Sequence, residues 1–282
     1  TWNIINNIPD SDYLSLYFIN ENLGWLNTSV GLMKTTNCGE SWNLINSLTY
    51  KRLDYHFINE NTGYLLLEDN TGLRQLYKTT NGCQTLKRIS TLSGFDPEIN
   101  NIAISNKEIL IGVGNRGIIR RTTDDGINWV NIYSGSANEM FYIQFLNQDT
   151  IFCVGKDATI KKTTDCGKSW SENKTNLTDV PFYNVNFFNS STGIIVDYNV
   201  NFFKTTNCGK DWVKIGNITD SYFKDACFIN ENIGWVSFLR TTNEYFIMKT
   251  TDGGEYWYHC KTFKDTVIPK IHFFDENLGY AI

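Results

Sequence analysis

Acidic side chains in loops are where this chain could do chemistry. Asp69, Asp157, Asp179, Asp197 and Asp220 all fall in polar, turn-rich segments between apolar runs. Two carboxylates about 5–10 Å apart suffice for glycoside hydrolysis, one as acid and the other as base or nucleophile. Asp157 and Asp197 are the pair that this reading selects, while a lone loop Asp is ordinarily a solvated turn residue. For binding without turnover the candidates are Asp69, Arg116, Asp197, Tyr198, Tyr222 and Arg240, charged or aromatic residues in or beside the same class of loop. Metal chemistry finds little support. His56 and His272 share one repeat position, but Tyr17, Ala103, Gln144, Asn186 and Cys227 fill it elsewhere. Cys38, Cys166 and Cys208 share another slot on separate repeats, too far apart to bridge. No Cys-x-x-Cys occurs, so neither a disulfide framework, nor zinc, nor any other cofactor is expected.

A repeat supplies the scaffold for these residues. Five times a basic residue is followed eight positions later by Trp: KTTNCGESW from Lys34, RTTDDGINW from Arg121, KTTDCGKSW from Lys162, KTTNCGKDW from Lys204 and KTTDGGEYW from Lys249. KTTNGCQTL from Lys78 is a degraded copy, with Cys83 at the Gly position and Leu86 at the Trp position. Thr1–Trp2 reads as the tail of another copy, and the chain as a piece of something longer. The spacing averages about 42 residues, the period of four-stranded propeller blades. β-Branched and aromatic runs, Asn-Gly turn signals and the lack of a 3.6-residue stripe argue against a helical array.

A second motif alternates with the first. FINENLG starts at Phe18, FINENTG at Phe57, FFNSSTG at Phe187, FINENIG at Phe228 and FFDENLG at Phe273, with weaker copies at Ile104 and Phe145. Each ends an alternating apolar strand, turns through Asn/Glu/Asn and resumes at Gly. One unit therefore has four strands, the third running into Lys-Thr-Thr and the fourth starting at Trp. In the turn between them, Asn37, Asp124, Asp165, Asn207 and Asp252 supply a side-chain oxygen for backbone N–H groups. Gly39, Gly126, Gly167, Gly209 and Gly254 take the positive φ that the turn demands. Thr35 and its equivalents lead in, and Trp42, Trp129, Trp170, Trp212 and Trp257 cover the turn as wedges between blades.

Seven strand-1/strand-2 motifs predict seven four-stranded antiparallel blades in one all-β propeller domain spanning 1–282. The last blade begins near Lys270, and the N-terminal strand Trp2–Ile8 returns to complete it and close the ring.

The pattern Ser/Thr-x-Asp/Asn-x-Gly-x-Ser/Thr-Trp resembles the Asp-box, or bacterial neuraminidase repeat. The fuller unit, with Gly-Trp before Lys-Thr-Thr-Asp-Gly-Gly-x-x-Trp, resembles the photosystem II stability/assembly factor-like propellers, and does so over nearly the whole chain. Departures at Cys83, Leu86, Asn128, Asp211 and Tyr256 bear on the regularity of the boxes, those at Cys83 and Leu86 on blade 2 above all. The resemblance implies a secreted, periplasmic or cell-surface bacterial setting. It does not carry sialidase chemistry, which needs three convergent Arg, one in an Arg-Ile-Pro segment that this chain lacks. Nor is there a cluster like the Arg patch of the photosystem-type relatives.

At 282 residues and 41% hydrophobic content the chain can bury a large core as one domain. A net charge of −5, with basic residues spread one per repeat, argues against nucleic acid as partner. No apolar run reaches the roughly 20 residues of a membrane span. The expectation is a non-enzymatic binding or scaffold propeller for a protein or a surface glycan. The alternatives are a glycoside hydrolase using an Asp pair and a purely structural repeat in a larger assembly.

Overall fold

Strand pairing follows the repeat in a computed structural model of the chain, which describes residues 13–47, 52–68, 74–89, 99–105, 109–173, 177, 180–264, 267–268 and 270–282. Blade 1 comprises β1 (Tyr13–Phe18), β2 (Gly24–Thr28), β3 (Gly31–Thr35) and β4 (Asn43–Asn46). Blade 2 comprises β5 (Arg52–Phe57), β6 (Gly63–Glu68), β7 (Arg74–Thr79) and β8 (Lys87–Arg88). Blade 3 comprises β9 (Ile99–Ile104), β10 (Leu110–Gly114), β11 (Ile119–Thr122) and β12 (Val130–Ile132), with a single 3₁₀ turn at Asn115–Gly117. Blade 4 comprises β13 (Met140–Phe145), β14 (Ile151–Gly155), β15 (Ile160–Thr163) and β16 (Ser171–Asn173). Blade 5 comprises β17 (Phe182–Phe187), β18 (Gly193–Asp197), β19 (Asn201–Thr205) and β20 (Val213–Asn217). Blade 6 comprises β21 (Ser221–Phe228), β22 (Gly234–Arg240), β23 (Tyr245–Thr250) and β24 (Tyr258–Phe263). A hairpin, β25 (Ile271–Phe273) and β26 (Gly279–Ala281), follows.

The expected count of seven blades is corrected to six. Among the described residues six sheets have four strands in sequential antiparallel order, and β25–β26 is a two-stranded sheet. Counting strand-1/strand-2 motifs overcounts, because such a motif needs only two strands whereas a blade needs the box hairpin as well. Trp2–Ile8, read as the closing strand, lies outside the described residues. Side-chain packing joins the ends of the circle. First strands touch in the order β1, β5, β9, β13, β17, β21 and β25, and β25 touches β1 again.

Local chemistry explains the motifs. The Phe that ends strand 1 lies directly opposite the Gly that starts strand 2, as in Phe18 with Gly24 and Phe228 with Gly234. A Cβ on Gly24 would stand 2.4 Å from the Phe18 ring, and one on Gly234 would stand 2.2 Å from the Phe228 ring. Glycine is required there by the aromatic ring lying over the backbone. In the turn between them, Asn20 Oδ1 accepts from the N–H groups of Asn22 (3.0 Å) and Leu23 (2.9 Å), and Asn59, Asn189 and Asn230 do the same.

The second residue of strand 2, which follows that Gly or, in blade 4, Ile151, is a wedge. Trp25 stacks on Phe57 of the next blade (3.8 Å between centroids), Phe152 on Phe187 (4.2 Å) and Trp235 on Phe273 (3.9 Å). The basic residue of the box is a latch to the following blade. Arg121 Nε donates to the Cys166 carbonyl at 2.7 Å, Lys162 Nζ to the Cys208 carbonyl at 2.9 Å, and Lys78 Nζ to Asp125 Oδ2 at 2.6 Å. These lysines also ride over aromatic faces, Lys162 at 5.3 Å from the Phe152 centroid.

The box turns are built alike in all six blades. Thr163 Oγ1 accepts from Asp165 N and Gly167 N, and Asp165 Oδ1 accepts from Ser169 N at 3.0 Å. Blade 2 is regular despite its sequence. Cys83 adopts the glycine conformation (φ 74°), and its N–H reaches Thr79 Oγ1 at 2.8 Å. Strand 2 is wholly buried in blades 1, 3, 4 and 5, while the outermost strands are largely polar and exposed, which blunts their free edges. Among the described residues no helix is long and apolar enough to cross a membrane.

Candidate functional site

The box turns and the Asn/Glu/Asn turns lie at one end of the strands. The opposite end carries the connections between strands 2 and 3 and between successive blades, and most of the candidate residues gather there. On that loop face an aromatic ladder runs over blades 4 to 6. Phe141 stacks on Tyr183 (4.7 Å, 8° between planes), Tyr183 meets Tyr198 (5.7 Å) and Phe223 (6.4 Å), and Tyr198 meets Tyr222 (5.4 Å). Tyr198 and Tyr222 are 39% and 37% exposed, so the ladder ends in two accessible rings.

Its backbone is fixed from both sides. Tyr198 N donates to the Pro181 carbonyl, and Phe223 N donates to the Tyr198 carbonyl, both at 2.9 Å. Asp197, directly before Tyr198, is fully buried and accepts from Asn201 N (2.9 Å) and Asn201 Nδ2 (2.7 Å). Burial raises its carboxyl above the ordinary carboxylate range, and the Asn201 bonds offset part of that shift. Asp197 is thus a turn-builder that aims Tyr198. Asp157 of blade 4 stands two residues beyond the position equivalent to Asp197, which is Gly155, and is exposed at φ 52° in the β14–β15 turn, the left-handed region that Asp tolerates. The two carboxylates considered for hydrolysis therefore differ in kind, one sequestered by Asn201 and the other on a hairpin apex.

Of the remaining candidates, Arg116 sits at the apex of the 3₁₀ turn of blade 3 with φ 56°. Arg240 lies opposite Ser221 on blade 6, with its guanidinium 4.8 Å from the Phe246 ring centroid, so it packs on that sheet. Asp69 lies outside the described residues. The sequence reading missed Phe141, Tyr183 and Phe223. A signal existed for two of them, because Phe141 and Tyr183 stand four residues before the strand-ending Phe145 and Phe187.

The central channel is lined by two polar rings that serve as seams. At most joins a channel side chain accepts from the first strand of the next blade: Asp54 from Ile102 N (3.4 Å), Asn101 from Ile143 N (3.1 Å), Gln144 from Phe187 N (2.9 Å) and Asp225 from Ile271 N (3.1 Å). Cys227 Sγ accepts from Phe273 N at 3.3 Å. Burial works to raise Asp54, but His56 at 3.6 Å, Lys270 and the Ile102 N–H hold it below the usual range. Burial raises Asp225 despite Lys270 at 3.5 Å. His272, in the same slot as His56, is packed between Phe18 and Phe274. Among the described residues no group of three or more His, Cys, Asp or Glu is placed to hold a metal ion. All seven cysteines are free, and burial pushes Cys83 up to about 12 and Cys227 to about 11, which keeps both as inert thiols.

Comparison with known proteins agrees with this architecture. Residues 134–218 match the family model described as photosynthesis system II assembly factor YCF48, so the resemblance read from the boxes holds over that stretch. No curated protein sequence matches the chain. Among solved structures, YCF48 bound to D1 peptide is similar over 98% of this chain and 90% of its own, at 20% identity and a TM-score of 0.68. YCF48 from Cyanidioschyzon merolae is similar over 97% of this chain and 93% of its own, at 14% identity and a TM-score of 0.71. The GH74 xyloglucanase from Xanthomonas campestris is similar over 93% of this chain but 47% of its own, at 12% identity and a TM-score of 0.71. At these identities the likeness is one of fold.

Proposed function

We propose that this chain is a non-enzymatic propeller that binds a segment of another protein on its loop face, with Tyr198 and Tyr222 as anchors. The observation that carries this reading is the aromatic ladder: two part-exposed tyrosines, backed by Phe141, Tyr183 and Phe223, on backbone tied down at both sides. Rigid aromatic anchors of this kind carry most of the energy in protein interfaces. A protein partner is also supported by the fold likeness to a propeller whose structure holds a peptide. The secreted, periplasmic or cell-surface setting implied by the box motif belongs to this proposal.

Tyrosine platforms also stack on sugars, so a glycan is the competing ligand, and the xyloglucanase likeness keeps hydrolysis as an outcome to test. A peptide array would find binding sequences, and calorimetry on the wild type and the Tyr198→Ala/Tyr222→Ala double variant would measure them. Loss of affinity of about a hundredfold, roughly 3 kcal/mol for two anchors, is expected with thermal stability retained. Peptide binding unchanged in the double variant would remove the ladder from the reading. Reducing-sugar release abolished by Asp157→Asn or Asp197→Asn would replace it with the enzyme.

A further inference from the structure

The two exposed rings of the ladder form a cleft and not a flat platform. Tyr198 and Tyr222 stand 5.4 Å apart between centroids with 42° between their planes, and Tyr183 behind them meets Tyr198 at 40°. Among the described residues neither hydroxyl of the Tyr198–Tyr222 pair has a hydrogen-bond partner, so both can donate to a ligand.

The backbone beside the rings is already engaged. Phe223 N donates to the Tyr198 carbonyl at 2.9 Å, which ties the two ring-bearing segments to one another. Tyr198 N is held by the Pro181 carbonyl at 2.9 Å, and Thr241 N by the Asp220 carbonyl at 3.2 Å. Ser221 and Tyr222 are paired with Arg240 and Leu239 in β22. A ligand read by strand addition needs a row of open N–H and C=O groups, and these contacts occupy those beside the rings. A helix is about 10 Å across and sets its anchors along several turns, more than two rings 5.4 Å apart can meet. Acidic motifs are read by arginine clusters, and Arg240 of blade 6 is turned onto the Phe246 ring at 4.8 Å. Recognition at this place therefore falls to the aromatic faces and their hydroxyls.

We propose that the cleft takes a proline-rich segment in the polyproline II conformation, with a pyrrolidine ring seated between Tyr198 and Tyr222. This names the class of peptide for the ladder and rests on the reading of the ladder as a protein-binding site. A polyproline II chain makes no internal hydrogen bonds, so its carbonyls are available to the two hydroxyls. It rises about 3.1 Å per residue, and the ring spacing of 5.4 Å lies between the rise of one residue and that of two. Proline has its φ fixed before it binds, so little of the ligand chain has to be ordered. Its compact apolar ring fits a wedge between tilted aromatic faces. A pyranose presents a flat face, which one coplanar platform meets better than two rings at 42°.

The test is a peptide array probed with the full chain, its best binders then measured by calorimetry. The array carries decamers built on Pro-x-x-Pro, the same decamers with alanine for each proline, and decamers of random sequence. Cellohexaose is titrated beside them as a glycan. The tightest binders should contain proline, and their alanine versions should bind at least about tenfold more weakly. Tyr198→Ala and Tyr222→Ala should each weaken the proline peptides by about tenfold or more. Tyr198→Phe or Tyr222→Phe keeps the ring and should weaken them about threefold to tenfold, the worth of one hydrogen bond. Tight binders without proline that are lost in the Tyr198→Ala/Tyr222→Ala variant would overturn the polyproline proposal and leave the ladder standing. Proline peptides that bind this double variant as they bind the wild type would overturn both. Absence of binding by every proline decamer, or tighter binding of cellohexaose that depends on the two tyrosines, would also overturn the proposal.

Discussion

The Tyr280 hydroxyl donates to the Cys38 carbonyl across the join between the last strand and the first blade. Tyr280 stands where Trp25 and Trp235 stand in their blades, one residue after the strand-2 glycine, and it does the same work. Its ring stacks on Phe18 at 4.8 Å, as Trp25 stacks on Phe57. The hairpin has no described box for Lys249 to reach, and that lysine pairs with Glu276 at 2.8 Å instead. A two-stranded unit therefore joins both neighbours through the contacts that full blades use.

Tyr280→Phe removes the hydroxyl and keeps the ring, so it should cost about 1 kcal/mol, the net worth of one hydrogen bond. Tyr280→Ala also loses the stacking and should cost roughly 3–4 kcal/mol. Urea unfolding of both variants checks the order. Equal costs would mean that the hydroxyl contributes nothing to closure.

Trp235 lies flat on Phe273, 3.9 Å between centroids and 1° between planes. Trp235→Ala should destabilise by about 3–5 kcal/mol, and the double variant with Phe273→Ala should fall short of the sum of the two single costs by roughly 0.5–1.5 kcal/mol. A double-mutant cycle in urea measures the coupling, and strict additivity would contradict a direct stack.

His272 predicts a pH dependence. Burial lowers its pKa to about 4 from the ordinary 6.5. Between those values the unfolded chain binds a proton that the folded chain refuses. Stability should therefore fall as pH drops from about 6.5 toward 4, by roughly 1–2 kcal/mol at pH 5. His272→Phe, which keeps an aromatic between Phe18 and Phe274, should flatten that limb. The same slope in the variant would assign it to another group.

The box carboxylates predict a second, more acidic limb. Hydrogen bonds from Ser169 and Thr163 hold Asp165 well below the usual range, and bonds from Asn128 and Thr122 lower Asp124. Burial opposes the shift at Asp252, but the Tyr256 N–H and Thr250 outweigh it. Groups with depressed values stabilise the fold above their unfolded pKa, near 4, and that contribution disappears as pH falls toward the folded value. The boxes at Asn37, Asn81 and Asn207 use an uncharged oxygen in the same place and cannot titrate. Replacing Asp124, Asp165 and Asp252 with Asn should lower stability at neutral pH and flatten the loss between pH 4 and pH 2, so that variant and wild type converge at low pH, and urea unfolding across that range measures it.

Asp197 separates the binding and hydrolytic readings. Asp197→Ala removes the acceptor of the half-buried Asn201 amide groups and should cost about 1 kcal/mol. Asp197→Asn keeps an acceptor for Asn201 N and should leave peptide affinity within about threefold of wild type, since Tyr198 stays aimed. Chemical denaturation and calorimetry check the two statements.

Much of the fold is legible in single residues. Asn20, Gly24 and Phe18 mark a hairpin because the Asn oxygen caps its own turn and the glycine admits the Phe ring. Thr163, Asp165 and Gly167 mark the box turn because their bonds span at most six residues. Cys83 shows the limit of such reading, since the turn geometry held where the sequence pattern lapsed. The candidate site was half visible. Tyr198 and Tyr222 were selected from their loops, but Phe141, Tyr183 and Phe223 read as ordinary strand aromatics. Asp197 read as an open carboxylate until Asn201 was seen to occupy it.

The sequence by itself determined the repeating unit, its register and the turn at each end, because each depends on hydrogen bonds and close contacts among neighbours along the chain. Only the tertiary structure decided that six units are complete blades and that a hairpin packs between the last and the first. It alone placed Tyr198 beside Tyr222. Those relationships arise between residues on separate strands or blades, where the angle at which one sheet packs on the next sets the distance and spacing along the chain does not.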